Sequence, residues 1–270
     1  MDRVSVSVSE LQDVLYRLLY HRSFRSAFVS HPASLELAPP LMDMLAGVDI
    51  DELNALTSRI SRDVLWGSGE AGGGLARSYP VVLRILADLG VPQHELVARF
   101  LESECFRDYR DVPYGGEGVV LEEAFYDYAR SDDSGLPVSD RWRLWLEHEF
   151  LTSLLSLFVL NPEPSFLTRT TQLRYNGTAR YAVTHYPASF LIQLGRRPRE
   201  RKSQTTAYLY AQGASTLVTG PVDPIIITIM ELGTVASVRT EWPVVSRTTG
   251  VLPERLIGLA ERLHRLGLVG

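Results

Sequence analysis

The chain has 270 residues, 45% of them hydrophobic and 22% charged, at a formal net charge of −5, an ordinary globular composition in which a core forms without staples and two domains fit comfortably. Its single cysteine, Cys105, excludes an internal disulfide framework and any Cys-x-x-Cys zinc pair. Charge is uneven: residues 1–170 carry 15 Arg/Lys against 26 Asp/Glu, and residues 171–270 carry 12 against 6, so two units with different partners, or two units that attract each other, are expected.

No apolar stretch of signal-peptide type follows Met1, and the longest apolar runs, such as Leu154–Leu160, fall short of a membrane span. The expected location is the cytoplasm. From the N-terminus, Ser9-Glu10-Leu11-Gln12 reads as a capping box, with Leu11, Val14, Leu15, Leu18 and Leu19 at helical spacing behind it. The helix runs on or restarts through Phe24 and Phe28 and stops before His31-Pro32. Asp49-x-x-Glu52 opens a second helix with the stripe Leu53, Leu56, Ile60 and Val64. The glycine-rich stretch 67–74 has no lysine, so it is not a phosphate-cradling P-loop and reads as a loop between helices. Further helices are predicted from Pro80 to Gly90, from Pro92 through Leu101, and over 119–130. Cys105 lies among carboxylates that disfavour a thiolate, so it reads as a half-buried small hydrophobe.

The strongest helical pattern is 139–160, with Trp142, Trp145, Leu146, Phe150, Leu154, Leu157 and Phe158 on its buried face. Within it, Glu147-His148-Glu149 cannot hold one ion, because neighbouring helical residues point about 100° apart. It reads as a polar edge. No catalytic triad, nucleophile elbow or metal-ligand spacing stands out anywhere, so no catalytic or metal residue is assigned.

Pro162-x-Pro164 marks a boundary between domains 1–162 and 163–270. Beyond it, 173–175 and 180–187 read as extended or mixed, and Ser189–Leu194 as a strand or, because Pro187 suits a helix start, a short helix. Residues 196–202 form a basic loop. Thr205–Ala211 is a strand with Tyr208 and Tyr210 on one face and Ala207, Leu209 and Ala211 on the other. A turn and a strand Ser215–Thr219 follow, ended by Gly220-Pro221. Then come an apolar helix 224–232, a weak helix 235–247 interrupted at Trp242-Pro243, and a last helix 253–266. The predicted class is α+β: an N-terminal helical bundle, then a winged-helix module with a small antiparallel sheet.

A winged helix can bind DNA, but residues 221–270 carry five arginines and five carboxylates, a poor match to phosphate neutralisation. A ribbon edge can instead accept a peptide as an added strand. The strand-then-helix order ending in a glycine-valine stop resembles the PqqD-like precursor-recognition modules of peptide natural-product biosynthesis. That resemblance implies a leader peptide between the strand Ser215–Thr219 and the last helix. The implied contacts are Tyr208, Tyr210, Ser215, Leu217, Thr219, Arg255, Leu259 and Arg262, with the arginines suited to an acidic leader.

The segment Leu19–Phe28, the Trp145-Leu146-Glu147-His148-Glu149-Phe150 helix and the Tyr186-Pro187 segment resemble the accessory subunits of multinuclear non-haem iron oxidases in methanobactin and thiaglutamate biosynthesis. This implies a non-catalytic partner subunit, whose helical half docks on a barrel oxidase in a heterodimer. The iron would belong to that partner, with no cofactor in this chain, and neither a membrane nor a nucleic acid is an expected partner. The alternative reading is a winged-helix transcriptional regulator with a helical sensing domain.

Overall fold

The computed structural model describes residues 7–68, 73–110, 119–161, 168–196 and 205–270. They fall into two compact units, Met1–Trp142 and Arg143–Gly270.

The first unit is helical: α1 (Val8–Tyr20), α2 (Arg22–Ser30), α3 (Pro39–Leu45), α4 (Ile50–Trp66), α5 (Gly74–Ser78), α6 (Pro80–Asp88), α7 (Gln93–Leu101), α8 (Glu104–Arg110) and α9 (Leu121–Arg130). The capping box of α1 lies two residues earlier than expected. Ser7 is the cap, its hydroxyl accepts from the Glu10 N–H, and the Glu10 carboxylate accepts from the Ser7 N–H. Asp49 caps α4 by accepting from the N–H groups of Asp51 and Glu52. The chain breaks at His21 and restarts as α2. Val14, Leu18, Phe24, Leu41 and Leu45 form one apolar cluster. Phe100 anchors an aromatic cluster, its ring centroid 5.3 Å from Phe106 and 5.4 Å from both Phe125 and Tyr128.

The second unit starts inside the long helix α10 (Asp140–Leu160). The division therefore falls earlier than the boundary expected at Pro162-x-Pro164, a stretch that begins the undescribed residues 162–167. From Arg143 onward α10 packs on the sheet and on α11, through Trp145 against Phe190 and His148 against Tyr210. After it come β1 (Arg174–Tyr175), β2 (Arg180–Pro187), α11 (Ala188–Gln193), β3 (Thr205–Gln212), β4 (Leu217–Pro221), α12 (Pro224–Leu232), α13 (Val235–Thr249) and α14 (Pro253–Arg265). The strands form one antiparallel sheet in the order β1-β2-β3-β4. The α+β class holds, with four strands in the sheet.

Of the two readings left open for Ser189–Leu194, the short helix is the one formed: Pro187 caps α11, as its fixed φ favours. Two local expectations need correction. The last strand is Leu217–Pro221, so Gly220 and Pro221 belong to it and Ser215 lies in the turn before it. Helix α13 is continuous through Pro243; Trp242 is exposed and the Arg247 Nε donates to the Pro243 carbonyl across the next turn.

The sheet is covered on both faces. Across the ladder Tyr181 pairs with Ala211, Val183 with Leu209, and Ala211 with Val218. This face packs on α12, α13 and α14 through Ile225, Ile229, Met230, Val238, Leu256, Ala260 and Leu263. Asn176 closes this core at one corner. Its Nδ2 donates to the carbonyls of Met230 and Leu268, and its Oδ1 accepts from the N–H groups of Thr178 and Ala179. Gly233 ends α12 at φ +77°, where a Cβ would lie 2.6 Å from the Asn176 carbonyl oxygen, so both conformation and space require glycine.

Candidate functional site

The outer side of β4 is one of the two edges of the sheet. Strand pairing explains which of its groups are free. In an antiparallel ladder, alternate residues turn their main-chain N–H and C=O to the neighbour and the others turn them away. The Val222 N–H donates to the Ala207 carbonyl and the Gly213 N–H to the Thr216 carbonyl. The register pairs Leu209 with Gly220 and Ala211 with Val218. Thr216, Val218, Gly220 and Val222 therefore face β3, and Leu217, Thr219 and Pro221 face outward. Among the described residues no hydrogen bond is made by the outward N–H of Leu217 or Thr219. Pro221 has no N–H, so the free edge offers two donors and stops there.

Side chains on β4 divide differently. Val218 lies on the face of the sheet that packs on the three C-terminal helices, and Leu259 of α14 packs on the same cluster. Leu217 and Thr219 pair with Gln212 and Tyr210 and so lie on the opposite face. Arg255, Leu259 and Arg262 share one face of α14; the two arginines are exposed and Leu259 is half-buried. The turn before β4 is tied to the end of α14 by the Ala214 N–H, which donates to the Leu266 carbonyl. Ser215 is exposed in that turn.

Tyr208 and Tyr210 are not at a surface. They are 1% and 0% exposed, because the face that carries them is roofed by α10. This corrects their expected role as peptide contacts: they lie in the support beneath the edge. Glu147-His148-Glu149 is likewise not a polar edge. The His148 ring is surrounded by Trp145, Tyr186, Phe190, Tyr208 and Tyr210, with centroids 5.5 to 6.4 Å away. Its Nδ1 shares a 2.6 Å hydrogen bond with the Tyr210 hydroxyl, which lies 2.8 Å from the Tyr186 hydroxyl. The Thr184 hydroxyl donates to Glu147, and Glu149 is buried.

Burial, with a smaller contribution from the nearby Arg196 cation, pushes His148 down to about 4, so the ring is neutral at pH 7. Burial also pushes the Tyr210 hydroxyl well above the usual range, and the neighbouring Tyr186 adds to this. The result is a neutral, hydrogen-bonded aromatic layer that holds β3, and through it β4, in register. One sequence signal could have located it: a histidine flanked by Trp145, Leu146 and Phe150 in a strongly apolar helix is largely buried, and a buried imidazole needs a partner.

Of the basic loop, only Arg196 lies within the described residues, and it is exposed. Cys105 is half-buried. Among the described residues no group of three or more His, Cys, Asp or Glu side chains could hold a metal ion, and no helix is long and apolar enough to cross a membrane. Compared with family models, with curated proteins and with solved structures, the chain matches none of them.

Proposed function

We propose that this chain is a non-catalytic partner subunit that captures the leader of a ribosomal precursor peptide and presents the core of that peptide to an iron-dependent oxidase. In this reading the three C-terminal helices and the ribbon form a PqqD-like winged-helix module, and the iron belongs to the barrel-type partner of a heterodimer in the cytoplasm. One observation carries the reading: β4 is an edge strand with the main-chain groups of Leu217 and Thr219 directed away from the sheet. A leader added as a strand takes its affinity from those groups. Val218 and Leu259 line one side of the added strand, Leu217 and Thr219 the other. Arg255 and Arg262 on α14 favour an acidic leader.

The edge gives a clean test. Thr219→Pro removes an outward N–H without removing a ladder bond, whereas Val218→Pro removes a bond to β3. Thr219→Pro is expected to weaken leader binding by at least about tenfold, since each lost hydrogen bond is worth about 1 kcal/mol and the pyrrolidine ring blocks approach. The readout is isothermal titration with synthetic leader peptides of co-encoded precursors. Unchanged affinity in Thr219→Pro, or no affinity of the unmodified chain for any such leader with or without its oxidase, sinks the reading.

A further inference from the structure

The first unit carries a second feature that leader capture does not use. An open groove of about 800 Å³ runs between α2, α4 and α7. Its charge is inverted relative to its surroundings. Residues 1–142 hold 13 arginines against 23 carboxylates, a net of −10. Yet the ionisable side chains lining the groove, apart from Tyr20, are Arg22, Arg25, Arg62 and His94, with Glu102 as the single carboxylate.

These groups are not equally available. Arg25 is structural: its guanidinium donates to the carbonyls of Leu18 and Leu19, which closes the end of α1. Glu102 is engaged, because Oε1 accepts from the Arg22 N–H at 2.8 Å. The Arg22 side chain is exposed and, among the described residues, has no ion-pair partner; Arg62 has only a 3.9 Å approach to Asp63, with 67% of its side chain exposed. His94 is exposed on the opposite wall. Between them lie the hydroxyls of Ser26 and Ser58 and the amide of Asn54, and Val29 stands 57% exposed at the rim.

We infer that this groove docks an acidic peptide segment of a partner protein, with carboxylates on Arg22 and Arg62 and an apolar side chain against Val29. Three arguments select this occupant. Guanidinium forks match carboxylates bidentately, and in an otherwise acidic unit Arg22 has no ion-pair partner among the described residues while Arg62 has only the long approach to Asp63. An exposed valine and a groove of this volume exceed what a lone inorganic anion requires. A nucleic acid, longer than the groove, would run onto the net negative charge of the rest of the unit, which a short acidic segment held within the groove avoids.

The test uses the full chain and fluorescence anisotropy with a fluorescein-labelled peptide of Glu-Glu-Leu-Ala repeats; the matched Lys-Lys-Leu-Ala peptide, inorganic phosphate and single-stranded DNA are the comparison arms. The acidic peptide is expected to bind with an affinity that falls as salt rises. The double variant Arg22→Glu/Arg62→Glu should lose at least about tenfold. Arg22→Gln/Arg62→Gln should lose less. Both pairs are exposed, so circular dichroism should show the fold unchanged. Amide exchange should slow in α2 and α4, and Thr219→Pro should bind the peptide as well as the unmodified chain.

Equal binding by the charge-reversed variant, equal binding of the lysine peptide, or full displacement by phosphate or DNA would overturn the inference. So would loss of binding in Thr219→Pro, which would assign the peptide to β4 and leave the leader reading standing. Failure of leader binding with the groove result intact would overturn only the leader reading.

Discussion

The two faces of the sheet in the second unit solve the same packing problem with different chemistry. One face is mainly aliphatic, with Val183, Leu209, Ala211 and Val218 beside the ring of Tyr181, set against Ile225, Ile229, Val238, Leu256 and Leu263 of α12 to α14. Its stability comes from area removed from water and from close packing, both of which are insensitive to pH. The other face is aromatic and hydrogen-bonded, with His148, Tyr186, Tyr208 and Tyr210 under α10. There the same burial makes each polar group depend on its neighbour. The middle of strand β3, Ala207 to Ala211, is buried between the two, so neither face of it is open to a ligand, and what the sheet leaves open are its edges, β4 among them.

The contrast is sharpest under substitution. Leu256, 0% exposed at the centre of the aliphatic face, should cost about 3–5 kcal/mol when truncated in Leu256→Ala, through lost transfer energy and the cavity left behind. Urea unfolding measures it, and a loss under about 1 kcal/mol would mean that the three C-terminal helices collapse around the gap.

Acid should act on the aromatic face alone. His148 is held at about 4 in the folded state, below the ordinary value of about 6.5. The unfolded chain therefore binds the extra proton first as pH falls. Stability from the neutral ring is complete above about pH 6.5 and is lost between there and about pH 4, on the order of 3 kcal/mol in all. In His148→Gln this part of the pH dependence of the unfolding midpoint should disappear. The His148 resonance, assigned by its loss in His148→Gln, would contradict the buried network if it titrated near 6.5 in the native protein.

Tyr210→Phe keeps the ring and removes the hydroxyl shared by His148 and Tyr186, for an expected loss of about 1–3 kcal/mol. In a double-mutant cycle with His148→Phe the two losses should fall short of additive, because the second change removes a group already left without its partner. Additive losses would show that the two side chains act separately. The smallest effect belongs outside both faces. The exposed pair Arg239–Glu261, 3.0 Å apart, should contribute under about 1 kcal/mol in Arg239→Ala, and less at high salt.

The faces were not equally legible. The aliphatic side followed from periodicity, since Leu256, Ala260 and Leu263 recur at helical spacing and Leu209 and Ala211 alternate along a strand. The aromatic side did not. Alternation placed Tyr208 and Tyr210 together but could not say whether water or a helix lay over them, and tyrosine suits both. At the candidate site, Leu217 and Thr219 were named from the strand. That their main chain points outward depends on the register with β3, which the Ser215–Thr219 boundaries had shifted. In the first unit the stripes of α1 and α4 were readable in part, since Leu15 and Leu56 are exposed, whereas the groove is built from Arg22, Arg62 and His94, far apart in the chain and unremarkable singly.

Local chemistry thus determined most of the longer helices, the Asp49 cap, the α+β class and the uneven charge, because each depends on neighbours within a few turns of chain, whereas the α1 cap, the continuity of α13 and the short helices α3, α5 and α8 were missed. Only the tertiary structure decided that α10 belongs with the sheet, that His148 is largely buried and paired with Tyr210, and that among the described residues β4 is an outer strand with two free donors. These are consequences of which surfaces meet across long stretches of sequence, and no local period encodes them.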